Sequence, residues 1–102
     1  NGMRSLPEIR GLKGPDDFVG RHFFKRSLHQ RAGRVLELGC GTGNNLGLYL
    51  AYGWVCVGVD YDPAALADAR WNLGEAPEFI TADLSQGSPP LSGGFDALII
   101  PN

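Results

Sequence analysis

The chain has 102 residues, 43% of them apolar and 20% charged, which is the make-up of one small globular domain with a thin core. No apolar run approaches the ~20 residues a membrane span needs, and no signal-peptide pattern is visible. Cys40 and Cys56 have no C-x-x-C spacing and no neighbouring His, which argues against a disulfide framework or a zinc site and makes a reducing cytoplasm the expected setting. The net charge of −2 hides an uneven distribution. Residues 1–34 hold eight Lys and Arg against three Asp and Glu, whereas residues 35–102 hold one Arg against eight acids. Two packed segments that neutralise each other account for this; a basic lid that attracts an anionic acceptor, nucleic acid included, is the sharper reading.

In chain order, residues 1–15 carry two Pro and three Gly without a period and read as an arm. Asp16 or Asp17 caps a helix expected over 17–31, with Phe18, Val19, Phe23, Phe24 and Leu28 on one broad face and Gly33 as its stop. Val35–Leu38 is a short apolar strand, followed by a glycine loop and a helix from Asn44 to Ala51 that Gly53 terminates. Trp54–Val59 is apolar nearly throughout, the pattern of a parallel strand covered on both faces. Asp62 caps the next helix with Pro63 at its first position; Leu66, Ala69 and Leu73 recur at helical spacing, and Gly74 ends it. Glu78–Thr81 is a third strand, residues 84–94 are a loop by composition, and Phe95–Ile100 is a fourth strand. Alternating strands and helices over about 50 residues predict a right-handed βαβαβ unit. The expected fold is therefore α/β: a Rossmann-like parallel sheet with helices on both faces, in a domain over 34–102 preceded by an arm and covering helix over 1–33.

"VLELGCGTGNN" carries the chemistry. Gly39, Gly41 and Gly43 follow a strand, at the strand end where open α/β sheets place ligands, and a loop with few Cβ atoms lets a ligand approach the backbone. The dinucleotide fingerprint G-x-G-x-x-G does not fit, because the third glycine comes one residue early. Glu37 is the larger objection: a carboxylate repels a diphosphate but suits a cationic or amino-bearing ligand. A nicotinamide-dinucleotide enzyme is thus the weakest of the readings. Asp60, at the tip of the second strand, can accept hydrogen bonds from the two hydroxyls of a ribose. Its alternative as a helix cap is already filled by Asp62. Tyr61 is placed either against a purine face or as a surface aromatic. Asp83, just past the third strand in "FITADLS", can accept from an adenine amino group while the Leu84 N–H donates to the ring; the plain alternative is a loop Asp. His22 and His29 sit on the first helix as candidate bases, more simply as ordinary helix side chains.

At this point the sequence resembles the class I S-adenosylmethionine-dependent methyltransferases. "VLELGCGTG" is similar to the family's first motif, "VGVDYDPAAL" to its second element, "FITADL" to its third and "FDALII" to its fourth strand, over about residues 34–100. The resemblance implies S-adenosyl-L-methionine as cofactor. Glu37 would serve the methionine amino group through water, and the backbone of Gly39, Cys40, Gly41, Thr42 and Gly43 would line the methionine and ribose. Asp60 would hold the ribose hydroxyls, Tyr61 would lie by the purine, and Asp83 with Leu84 would take the adenine. Cys40 would be a packing residue, not a nucleophile. The family sheet is seven-stranded, in the order 3-2-1-4-5-7-6, and this sequence carries strands 3-2-1-4. A fragment, a remnant, or a half completed by a second copy over the strand-four edge is the resulting expectation, with a non-catalytic, oligomerising or regulatory module as the alternative function. The N-P-P-[YFW] motif of amino-group methylators is absent, so the acceptor is open among small molecules, proteins and nucleic acids.

Overall fold

The computed structural model describes residues 14–87, 89 and 91–100. The arm expected over residues 1–13 and the Pro101-Asn102 pair lie outside the described residues. The elements are α1 (Asp17–Lys25), β1 (Arg34–Leu38), α2 (Asn44–Ala51), β2 (Val55–Asp60), α3 (Pro63–Leu73), β3 (Glu78–Thr81) and β4 (Ala97–Ile99), with short 3-10 turns at Leu28–Gln30 and Leu84–Gln86. All strand pairs are parallel, in the order β3-β2-β1-β4. From β1 the sheet is extended one way by β2 and β3 and the other way by β4, which makes β1/β4 the switch point of the sheet.

Successive strand residues alternate between two apolar clusters. Val35, Cys56, Phe79 and Ile99 face a cluster shared with Phe23 and Leu28, with Leu46 and Tyr49 of α2, and with Leu66 and Ala69 of α3. Leu36, Val57 and Val59 face the other side, where Ala82, Leu91 and Phe95 cover them. The expectation of helices on both faces is met on one face only among the described residues. The reason is handedness: β1-α2-β2 and β2-α3-β3 both step the same way across the sheet, so right-handed crossovers put both helices on one side. The chain returns to β4 across the opposite side through a loop.

Local chemistry explains most boundaries. The Asp16 carboxylate accepts from Phe18 N at 2.9 Å and starts α1; the Asp62 carboxylate accepts from Ala64 N at 2.9 Å and starts α3, with Pro63 following. The first helix is shorter than the 17–31 expected. Ser27 takes φ 57°, and the Leu28 carbonyl accepts the Trp54 indole N–H at 3.0 Å, so the chain turns inward there instead of continuing the helix. Phe18 is accordingly 75% exposed, while Phe23 is fully buried and edge-on to Tyr49 at 4.7 Å. The fourth strand covers only Ala97–Ile99, because Phe95 turns to the opposite cluster and Asp96 closes the start of β1, accepting from Arg34 N at 2.9 Å. Trp54 is core, and β2 runs one residue later than expected, to Asp60.

Candidate functional site

The carboxyl ends of β1, β2 and β3 open on one side of the sheet. There a hollow of about 180 Å³ is lined by Gly39, Asp60, Tyr61, Ala82, Asp83, Leu84 and Ser85. Three strand ends that are far apart in sequence thus meet at one place. A larger hollow of about 680 Å³ lies elsewhere, between α1 and β4, lined by apolar groups such as Phe18, Val19, Leu28 and Ile99. None of the sequence-derived cofactor-binding residues lines it. His22 borders that larger hollow, and His29 sits among the rings of Phe24 and Tyr52, so neither histidine borders the small one.

Asp60 organises the small hollow. One carboxylate oxygen accepts from Gly41 N at 2.9 Å and the other from Asp62 N at 3.0 Å. It therefore ties the glycine loop to the end of β2, and each oxygen retains a lone pair for a further donor. Asp83 caps the 3-10 turn at Leu84–Gln86 through Ser85 N at 2.9 Å and Ser85 Oγ at 2.7 Å, which hold its carboxyl below the usual range. Tyr61 is 76% exposed at the rim, and Leu84 stands half in solvent beside Asp83.

The glycine loop is held from several sides. Gly39 N and Cys40 N both donate to Val59 O, at 2.7 and 3.0 Å. Gly39, Gly41 and Gly43 all have positive φ, 75°, 57° and 95°, so the loop path needs residues without Cβ. Their surroundings differ. A Cβ on Gly41 would meet nothing within 4 Å, whereas one on Gly43 would come 2.8 Å from Leu73 Cδ1 of α3. Gly41 is open to a ligand; Gly43 lets α2 and α3 approach. The Thr42 carbonyl accepts from Asn72 Nδ2 of α3 at 3.1 Å. Cys40 turns into the core, where burial first, then the Glu37 and Asp60 carboxylates, push its thiol up to about 12. It is not a thiolate nucleophile.

Glu37 does not line the hollow. It lies on the helix side of β1, only 3% exposed. Its Oε2 accepts from Asn45 Nδ2 at 2.7 Å, and its Oε1 has no hydrogen-bond partner among the described residues. Burial pushes its carboxyl up to about 7, the Asn45 bond opposes this, and the Asp60 charge adds to it. Asn45 is the residue that sequence reasoning missed. Two positions past Gly43 in the first turn of α2, its amide has a polar reach back toward β1. Among the described residues no group of three or more His, Cys, Asp and Glu is placed to hold a metal ion.

Comparison with known proteins bears on the same region. A family model described as a methyltransferase domain matches residues 35–102. The 18S rRNA (guanine-N(7))-methyltransferase of Bos taurus is 44% identical over 68 residues, covering 64% of this chain and 23% of that protein. Among solved structures, a TehB-like SAM-dependent methyltransferase of Corynebacterium glutamicum superposes with a TM-score of 0.69 at 23% identity, over 85% of this chain and 46% of its own. A SAM-bound amino pentose methyltransferase of Micromonospora echinaspora gives 0.65 at 28% identity, over 84% and 36%. The chain spans less than half the length of each of these relatives.

Proposed function

The chain belongs to the methyltransferase domain family, and we propose that it is the cofactor-binding part of an S-adenosylmethionine-dependent methyltransferase. The observation that carries this is the convergence of Gly39, Asp60 and Asp83 on one hollow beside a buried carboxylate with an unpartnered oxygen. A buried acid without a full set of donors is costly unless a cation or donor completes it. The amino group of S-adenosylmethionine is such a completion, and the vicinal hydroxyls of its ribose suit the lone pairs left on Asp60. Solved relatives with SAM or S-adenosylhomocysteine bound support the same choice.

In this reading Glu37, behind the hollow, serves the amino group through water, the Gly39–Gly43 backbone approaches the methionine and ribose, and Asp60 takes the ribose hydroxyls. Asp83 accepts from the adenine amino group, the Leu84 N–H donates to the ring, and Tyr61 lies by the purine at the rim. A hollow of about 180 Å³ is smaller than the ~300–1,000 Å³ usual for ligand pockets, so it seats part of the nucleoside and leaves the rest along the open glycine loop. When bound, the cofactor supplies a methyl group on a cationic sulfonium. The chain's own part is to orient it and keep water from it. The acidic balance of residues 35–102 favours such a cation. Buried, unpaired Cys40 and Cys56 thiols fit a reducing compartment such as the cytoplasm.

Calorimetric titration with S-adenosylhomocysteine tests this. Binding is expected, weakened by about 1–3 kcal/mol in Asp60→Ala, the scale of a lost charged hydrogen bond. Equal affinity in the variant removes the ribose assignment, and tight binding of NAD instead would revive a dinucleotide reading.

A further inference from the structure

The Asn45 side chain touches two partners that belong to different parts of the molecule. Its Nδ2 donates to Glu37 Oε2 at 2.7 Å, and its Oδ1 accepts from the backbone N–H of Asp16, the cap of α1, at 2.8 Å. We propose that Asn45 is a positioning residue that joins the start of α1 to Glu37, so that docking of this helix sets the Glu37 carboxylate ready for a cationic amino group. For its ligand, this rests on the S-adenosylmethionine reading.

The argument is one of donors and acceptors. A backbone N–H only donates, so Asp16 fixes the carbonyl end of the Asn45 amide toward α1. The amino end is then forced toward Glu37, where it favours the ionised carboxylate and occupies one oxygen. The other oxygen, Oε1, stays without a partner. If the start of α1 leaves, the Asn45 amide is free to turn over and present its oxygen to Glu37, which favours the protonated acid instead. The two ends of α1 are held unequally. Phe23 is fully buried against Tyr49, whereas Phe18 is 75% exposed and the Asp17–Arg21 ion pair at 2.9 Å is exposed at both ends. The first turn is held by Val19, which packs partly buried against the core, and by the Asp16–Asn45 bond, which ties the cap itself to α2. The groups around Glu37 add no counter-charge: Asp60 and Cys56 from β2, Cys40 from the glycine loop and Tyr49 from α2 are neutral or negative. Its donor Asn45 is left to oppose burial.

Three readouts on this chain test the proposal: carbon-13 NMR titration of the Glu37 carboxyl, hydrogen exchange of the Gly20 amide, which bonds Asp16 O at 2.9 Å, and calorimetry with S-adenosylhomocysteine at pH 7. In Asn45→Ala the Glu37 midpoint is expected to rise, Gly20 exchange to quicken about tenfold and affinity to fall about tenfold. Asn45→Asp is nearly isosteric, keeps an acceptor for Asp16 and removes the donor to Glu37. It is expected to raise the Glu37 midpoint and weaken binding while leaving Gly20 exchange unchanged. Asn45→Asp also sets a negative charge beside Glu37 and raises its midpoint for that reason alone, so the deciding midpoint is that of Asn45→Ala, which a purely structural Asn45 would leave where it is. An unmoved midpoint in Asn45→Ala, or unmoved Gly20 exchange in that variant, overturns the proposal. If the wild-type chain binds no S-adenosylhomocysteine but both spectroscopic shifts occur, the cofactor reading fails and the Asn45 link stands.

Discussion

Burial of Glu37 makes the stability of the fold depend on pH. Its carboxyl is raised from 4.5 to about 7 because burial penalises the charge more than Asn45 relieves it. Below about pH 4.5 both the folded and unfolded chains hold this proton, and the group contributes nothing to the balance. Between 4.5 and 7 the unfolded chain loses it first, so stability falls as pH rises, and above 7 the penalty is complete at no more than about 3 kcal/mol. Glu37→Gln, which has no charge to bury, is expected to flatten this slope and to be the more stable form at pH 8 in urea unfolding, yet to bind S-adenosylhomocysteine less well. A variant that keeps the wild-type pH slope would show that another group is responsible. The residue type and its place at a strand end made Glu37 legible in the sequence. Its partner was not, because Asn45 is eight positions away and meets it only after the glycine loop has turned α2 back along β1.

Elements depend on close approach as much as on propensity. In the middle of β2, Gly58 faces the glycine loop and α2: a Cβ there would lie 2.6 Å from Cys40 Sγ and 2.9 Å from Leu46 Cδ1. Both neighbours are themselves buried, so neither has room to yield. Gly58→Ala is expected to cost about 1–3 kcal/mol by overpacking, read as a lower urea midpoint, and an unchanged midpoint would mean that the loop is free to move away. The reach of β1, β2, α2, α3 and β3 was legible to within a residue, since caps, terminators and apolar runs are local signals. The end of α1 was not. It is decided by the Trp54 indole N–H donating to Leu28 O, a contact across 26 positions that no local pattern contains.

For the whole molecule, the weak place is the β4 edge. Leu98, on the strand that borders the described sheet, and Ile100, just past its end, are 56% and 63% exposed beside the larger apolar hollow. An apolar edge of this kind invites pairing with another chain. Sedimentation velocity is expected to reveal concentration-dependent association that Leu98→Lys reduces; a monomer at every concentration would remove that expectation. No helix among the described residues is long and apolar enough to cross a membrane.

The strand–helix alternation, the glycine loop and the acids at strand ends were written in local patterns, so the sequence alone determined the parallel α/β frame and the positions of Glu37, Asp60 and Asp83. Tertiary structure decided what those acids do. Asp60 ties Gly41 to β2, Asp83 closes a 3-10 turn, and Glu37 lies buried behind the hollow instead of within it. Burial and hydrogen-bond partners are set by segments that meet only in the folded chain, and no single stretch of sequence carries them.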